Sequence, residues 1–189
     1  AMVFSNVNHV ALADERFWPL WKKAAELGAV IYIHPTDPAG VEAMLDYWLM
    51  PLVGFLFDTT LAAAKLVFSG VVDRHPNIRW VLTHMGGAIP YLAERLDRGY
   101  RAFADCRAHT SRPPSETLKQ FYFDTVNFNP SAMRLALEFA GEDHLLAGSD
   151  YPHQIGSIPL MLESIERFDV DGRVKQKILG ANAARLLGL

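Results

Sequence analysis

Three polar side chains each close an apolar run of the kind that forms a buried strand. His34 follows Ala29-Val30-Ile31-Tyr32-Ile33, His84 follows Ile78-Arg79-Trp80-Val81-Leu82-Thr83, and Asp150 follows Leu145-Leu146-Ala147-Gly148-Ser149. Parallel α/β proteins place their chemistry at the C-terminal ends of the strands, where loops from several strands meet. On one rim, two imidazoles and a carboxylate suit zinc or another borderline divalent metal. They suit general acid–base work equally well. A single histidine in such a place is ordinarily a hydrogen-bonding loop residue; the repetition is what points to a shared site. Gly86-Gly87 and Gly148 would let the backbone approach a ligand closely, though ordinary βα turns use glycine in the same way.

Other polar residues rank below these. His153 lies three residues after Asp150, within reach of a ligand or of the groups behind it. His9 follows the first strand-like run and is expected on the same rim. Asp124 ends Phe121-Tyr122-Phe123, where it would touch substrate, orient a histidine or simply cap a loop. His75, His109 and His144 read as structural or exposed. Arg95 and Arg98 are candidate carboxylate contacts, but their helical spacing favours a solvated face. No glycine-rich dinucleotide or phosphate loop follows a strand, and neither Ser5 nor Ser149 has the nucleophile-elbow pattern. Cys106 lies in a polar stretch with no evident partner, so serine or cysteine nucleophilic catalysis is not expected.

The elements that must position these residues alternate in type. Met2–Val7 reads as a first strand, and Asp14 caps a helix running to Gly28 with Pro19 in its first turn. The strand ending at His34 is stopped by Pro35. Helical spacing follows over Val41–Met50 and Thr60–Val72, with Leu52–Phe57 ambiguous between them. After the strand to His84 come a helix from Ile89 to Arg98, a polar stretch from Ala104 to Pro114 and a helical turn over Ser115–Lys119. The strand Phe121–Thr125, a helix Pro130–Phe139 stopped by Gly141, the strand Leu145–Asp150 and helices over Ile158–Arg167 and Gly172–Leu187 complete the chain. Nearly continuous apolar strands between helices imply a parallel sheet covered on its outer face. The count is five βα units in a single domain over residues 1–189.

Composition sets outer bounds. The 189 residues are 50% apolar and 21% charged, enough for one sizeable core, and the four Trp, six Tyr and eleven Phe exclude a disordered chain. With 18 basic and 21 acidic residues and no basic block, no nucleic-acid footprint is expected. One cysteine excludes an internal disulfide and a cysteine-cluster metal site, which makes the cytoplasm the default compartment. The longest apolar run, Leu49–Phe57, falls short of the roughly 20 residues of a spanning helix, so no membrane association is expected. A complete (β/α)8 barrel takes about 250 residues, more than this chain has.

Taken in order along the chain, several segments together resemble the amidohydrolase-2 branch of the metal-dependent amidohydrolase superfamily. That branch includes aminocarboxymuconate semialdehyde decarboxylase and the resorcylate-type decarboxylases. The resemblance is carried by Tyr32-Ile33-His34-Pro35, by Phe68-Ser69-Gly70-Val71 with Asp73-Arg74-His75-Pro76, and by Thr83-His84-Met85-Gly86-Gly87. It continues in Gly148-Ser149-Asp150-Tyr151-Pro152-His153 and in the tail Ile178–Leu186, so it covers nearly the whole chain. It implies a (β/α)8 TIM-type barrel, here incomplete, with strands four to eight present. It implies His34 and Asp150 as ligands of a divalent metal, zinc first and manganese second, and His84 and Asp150 in proton transfer.

The chain departs from the resembled pattern in one respect. It contains no opening strand with a His-x-His or Glu-x-His pair, so the N-terminal ligand pair is missing. The expected activity is that of a metal-dependent decarboxylase, a C–C lyase acting on a small unsaturated or aromatic carboxylic acid. Turnover by the isolated chain should be absent or very low. The alternatives are metal-dependent hydrolysis of a small amide, ester or lactone, hydration of an unsaturated acid, or a non-catalytic fragment. A barrel short of three units exposes two sheet edges, so a homo-oligomer is expected.

Overall fold

The computed structural model describes residues 1–189. The main sheet has five parallel strands in the order β1 (Met2–Phe4), β4 (Val30–His34), β5 (Arg79–Leu82), β6 (Tyr122–Asp124) and β7 (Leu145–Leu146). A short antiparallel hairpin of β2 (Asn6–Val7) and β3 (Val10–Ala11) follows β1. Around the sheet lie α1 (Trp18–Glu26), α2 (Phe55–Phe68), α3 (Val71–Arg74), α4 (Ile89–Ala102), α5 (Pro114–Leu118), α6 (Pro130–Ala140), α7 (Ile158–Glu166), α8 (Gly172–Gln176) and α9 (Asn182–Leu187). Each parallel crossover carries at least one helix, as a parallel sheet requires. The sheet does not close on itself: β1 and β7 are its free edges.

Strand alternation divides the side chains between two faces. Ile31 and Ile33 of β4, Trp80 and Leu82 of β5 and Phe123 of β6 face the helices and are fully buried. Against them pack Trp21 and Ala24 of α1 and Ala62, Ala63, Leu66 and Val67 of α2. Each large aliphatic or aromatic group so buried contributes about 1.5–3 kcal/mol. Trp21 meets Trp80 edge-on at 5.2 Å, and its indole N–H donates to the Leu12 carbonyl at 2.8 Å. The opposite face carries Tyr32, His34, Val81, Tyr122, Asp124 and Leu146. Near the N-terminal ends of the strands it is covered by α9, whose Leu186 packs on Val81 and Leu146. The fully buried Asn182 anchors α9 by donating to the carbonyls of Glu142 and Leu145 at 2.8 Å each.

Several boundaries differ from the sequence reading for identifiable reasons. The first strand stops at Phe4, because the next residues turn into the hairpin, with Asn8 and His9 both in the left-handed region (φ 50° and 62°). The expected helix over Val41–Met50 is a 3-10 turn, Val41–Ala43, followed by a bend with Tyr47 and Trp48 also left-handed. The ambiguous Leu52–Phe57 belongs to one continuous helix, Met50–Phe68, whose first turn Met50–Gly54 is wider than α-helical. By length and composition alone this 19-residue helix is long and apolar enough to cross a membrane, longer than the nine-residue apolar run read from the sequence. In this fold its Ala62, Ala63, Leu66 and Val67 are buried against the sheet. The last strand pairs only over Leu145–Leu146; Ala147 donates instead to the Ile178 carbonyl, and Asp150 has left the extended region with φ 55°. The C-terminal helix runs unbroken through 172–187, with a wide turn at Lys177–Ala181.

Candidate metal and active site

A cavity of about 590 Å³ opens beyond the C-terminal ends of β1, β4, β5, β6 and β7. His34 is the last residue of β4, His84 lies two residues beyond β5, and Asp150 four residues beyond β7. All three line this cavity, together with Asp124 and His153. The rings of His34 and His84 lie 5.6 Å apart, and those of His34 and His153 stack at 6.3 Å. One donor atom from each of His34, Asp150 and His153 lies within 4.8 Å of the other two. His84 Nε2 approaches an Asp150 carboxylate oxygen at 3.8 Å, too far for a hydrogen bond.

The tautomer of His34 is set by its neighbour. Its Nδ1 lies 2.8 Å from the Pro35 carbonyl, which can only accept. Nδ1 therefore carries the hydrogen, and the Nε2 lone pair is left to the cavity, the arrangement that orients metal-binding imidazoles. His84 is 9% exposed, and burial lowers its pKa, opposed by the nearby Asp124 and Asp150 carboxylates. Its buried Nδ1 has no hydrogen-bond partner.

Behind this rim lies Asp124, 1% exposed at the end of β6. One carboxylate oxygen accepts from the backbone N–H groups of Val126 at 3.0 Å and Met85 at 3.3 Å; the other accepts from the Tyr32 hydroxyl at 2.6 Å. Burial pushes its pKa up, with the His84 charge and the Tyr32 hydrogen bond working in the opposite direction. Tyr32 is pushed up as well, first by burial and then by the Asp124 charge. The carboxylate thus ties together β4, the turn after β5 and the loop after β6. Gly148 makes room for it: a Cβ there would lie 2.8 Å from the Asp124 Cβ.

His9 is a correction. It sits exposed in the β2–β3 turn and lines a separate cavity of about 60 Å³ with Ser5, Asn6 and Asp58, because the hairpin carries it away from the rim. Arg95 and Arg98 are exposed on α4, where Arg98 pairs with Glu94 at 3.4 Å. His144 stacks on Tyr122 at 4.7 Å and has Nδ1 2.9 Å from the Phe121 carbonyl, a structural role. Tyr32 is a cavity residue that the sequence reading passed over. Its signal was available: it lies two residues before His34, hence on the same strand face. Phe55, whose ring meets His34 edge-on at 6.3 Å, had no comparable signal.

The donor set fits a divalent cation: two imidazoles and a carboxylate, one imidazole already held in the ligating tautomer. The cavity lining holds no lysine or arginine.

Comparison with known proteins agrees with this architecture. 2-amino-3-carboxymuconate-6-semialdehyde decarboxylase of Dictyostelium discoideum is 34% identical over 188 residues, which are 98% of this chain and 52% of that protein. The crystal structure of 5-carboxyvanillate decarboxylase LigW from Sphingomonas paucimobilis superposes with a TM-score of 0.91 at 28% identity, covering all of this chain and 58% of the other. A dihydroxybenzoic acid decarboxylase from Polaromonas sp. JS666, solved with bound manganese and 2-nitroresorcinol, shares the fold with a TM-score of 0.85 at 24% identity. The chain spans about half the length of the curated relatives it matches. Its five βα units form an incomplete (β/α)8 barrel. The family model Amidohydro_2, Amidohydrolase, matches residues 3–189, and the chain belongs to the amidohydrolase family.

Proposed function

We propose that this chain is the C-terminal part of a metal-dependent decarboxylase acting on a small aromatic or unsaturated carboxylic acid. The observation that carries the reading is the cavity itself: three imidazoles (His34, His84, His153) and three carboxylates (Asp37, Asp124, Asp150) line it, with no lysine or arginine among the lining residues. Its relatives bear the names of decarboxylases of such acids. His34 and Asp150 would hold the cation, zinc or manganese. When bound, the cation supplies positive charge to anchor and polarise an anionic substrate.

The chain's own residues account for the rest. Tyr32, Phe55 and Phe4 present apolar surface to a planar substrate, and Met2 extends it toward the open edge. His84 manages the proton: it is buried, faces Asp150, and has no partner for Nδ1 that would fix the proton there. Decarboxylation needs one proton delivered to the carbon that bears the carboxylate. As the C–C bond breaks, its electron pair restores the ring or double bond, and carbon dioxide leaves.

The test is release of carbon dioxide from a panel of hydroxybenzoates and aminocarboxymuconate semialdehyde, with manganese or zinc added. It is run on the chain alone and on the chain co-expressed with the N-terminal half of a relative. The complemented protein should turn over at least one acid, and the chain alone should be slow or inactive. His84→Asn should lower the complemented rate by about 10²–10⁴-fold, the usual contribution of a positioned acid–base group. Hydrolysis of esters or lactones without carbon dioxide release would move the reading to a hydrolase.

A further inference from the structure

We propose that His153 is a direct metal ligand, so that this chain holds one divalent cation through His34, Asp150 and His153 without donors from any other segment. The inference deepens the metal-dependent reading above and leaves the reaction class aside.

The loop after β7 is built to bring His153 back over Asp150. Asp150 is left-handed at φ 55°, a conformation that reverses the chain at the strand end. The His153 N–H then donates to the Asp150 carbonyl and the Gly156 N–H to the His153 carbonyl, both at 2.9 Å, and Ser157 N–H returns to the Ser149 carbonyl at 2.8 Å. These bonds close residues 149–157 into a compact loop with both ends at the rim. Gly156 is required for the closure: a Cβ there would lie 2.1 Å from the Asp150 carbonyl oxygen. The loop sets the His153 ring nearly parallel to that of His34, with 22° between their planes.

The donor geometry is that of a three-point site. Donor atoms of the three residues lie within 4.8 Å of one another. Around a tetrahedral zinc with bonds near 2.1 Å, ligand atoms sit about 3.4 Å apart, so the loop need only draw in by an ångström or so. His153 is exposed at the cavity mouth, whereas His84 is buried, with Nε2 3.8 Å from an Asp150 carboxylate oxygen. Two imidazoles and one carboxylate leave a position open for a small molecule, as catalytic sites of this ligand type do. His84, outside the triad, keeps its nitrogens for protons.

Cobalt(II) reports ligand identity directly, and carbon dioxide release is not read, so the outcome is independent of the decarboxylase assignment. The purified chain is titrated with cobalt(II) by calorimetry and absorption spectroscopy, and compared with His153→Ala, His84→Ala and His153→Cys. Circular dichroism confirms that each variant is folded. One cobalt per chain is expected for the wild type. His153→Ala should weaken binding at least about tenfold, and His84→Ala should stay within about twofold. His153→Cys should gain a sulfur-to-cobalt charge-transfer band that the wild type, with only Cys106, lacks. The proposal is overturned if the wild type binds no cobalt. Wild-type affinity in His153→Ala, or a folded His153→Cys that binds cobalt without the band, would overturn it as well.

Discussion

Asp124 is the residue on which the rim depends, although it is not among the proposed ligands. Its carboxylate accepts from Tyr32, Met85 and Val126, and so fixes the turn that carries His84 relative to the strand that carries His34. Burial raises its pKa in the folded protein above the ordinary carboxylate value. The sign of the consequence follows from proton linkage. A group held more tightly protonated in the folded state gives its full stabilisation below the unfolded pKa. That stabilisation is lost as pH rises through the folded pKa. Asp124→Asn removes the titration. The stability of the wild type relative to Asp124→Asn should therefore fall as pH rises from about 4, the unfolded carboxylate value. Urea midpoints of both proteins across that range measure it, and a gap that does not change with pH contradicts it.

At the scale of elements, the turn between β5 and α4 is held against α2 by glycine. Gly87 has φ 61° and ψ −122°, a conformation that side chains avoid, and a Cβ there would lie 2.1 Å from the Leu56 carbonyl oxygen. Thr60 completes the junction: its hydroxyl donates to that carbonyl at 2.6 Å and accepts from the Ala88 N–H at 2.9 Å. Gly87→Ala must therefore either push α2 off the sheet or distort the His84 turn. We expect a loss on the order of 3 kcal/mol, from backbone strain added to the clash. Gly180 serves as the control, since it lies within the C-terminal helix with nothing within 4 Å of a built Cβ. Gly180→Ala should be neutral or gain up to about 1 kcal/mol. Chemical denaturation of the two variants side by side makes the comparison, and equal stabilities would refute the account of the turn.

For the whole molecule, the open sheet is the dominant feature. β1 and β7 each have one unpaired edge, and Met2 and Phe4 on β1 are 65% and 56% exposed where they border the cavity. Free parallel edges beside exposed apolar side chains invite pairing with another chain. We expect light scattering on the purified chain to give a dimer or larger assembly, and co-expression with the N-terminal half of a relative to replace self-association with a stable complex. A stable monomer at high concentration that also ignores the complementary half would show that this open sheet is sufficient by itself.

How much of this was legible beforehand depends on the range of the interactions involved. Local patterns determined the strand cores, the helices bounded by Pro130, Gly141 and Asp14, and the number of βα units, because each rests on near-neighbour chemistry: capping, periodicity and fixed proline geometry. Asp14 caps the short 3-10 turn Glu15–Phe17 that leads into α1, accepting from the Arg16 N–H at 3.0 Å, while α1 itself starts at Trp18 without a side-chain cap. The placement of His34, His84 and Asp150 after apolar strands was likewise readable, since a parallel sheet aligns its C-terminal ends. What the tertiary structure decided was everything set by contacts distant in sequence. The Tyr32–Asp124 hydrogen bond joins residues 92 positions apart. His9 left the rim because β1 ends at Phe4, where the chain turns into a hairpin that no apolar period announces. His153 reached it because residues 149–157 fold back through backbone hydrogen bonds, which leave no mark on side-chain periodicity. Sequence spacing fixes which residues a strand end can offer. Which of them meet is set by the backbone path between the strands, and that path is chosen by packing across the whole sheet.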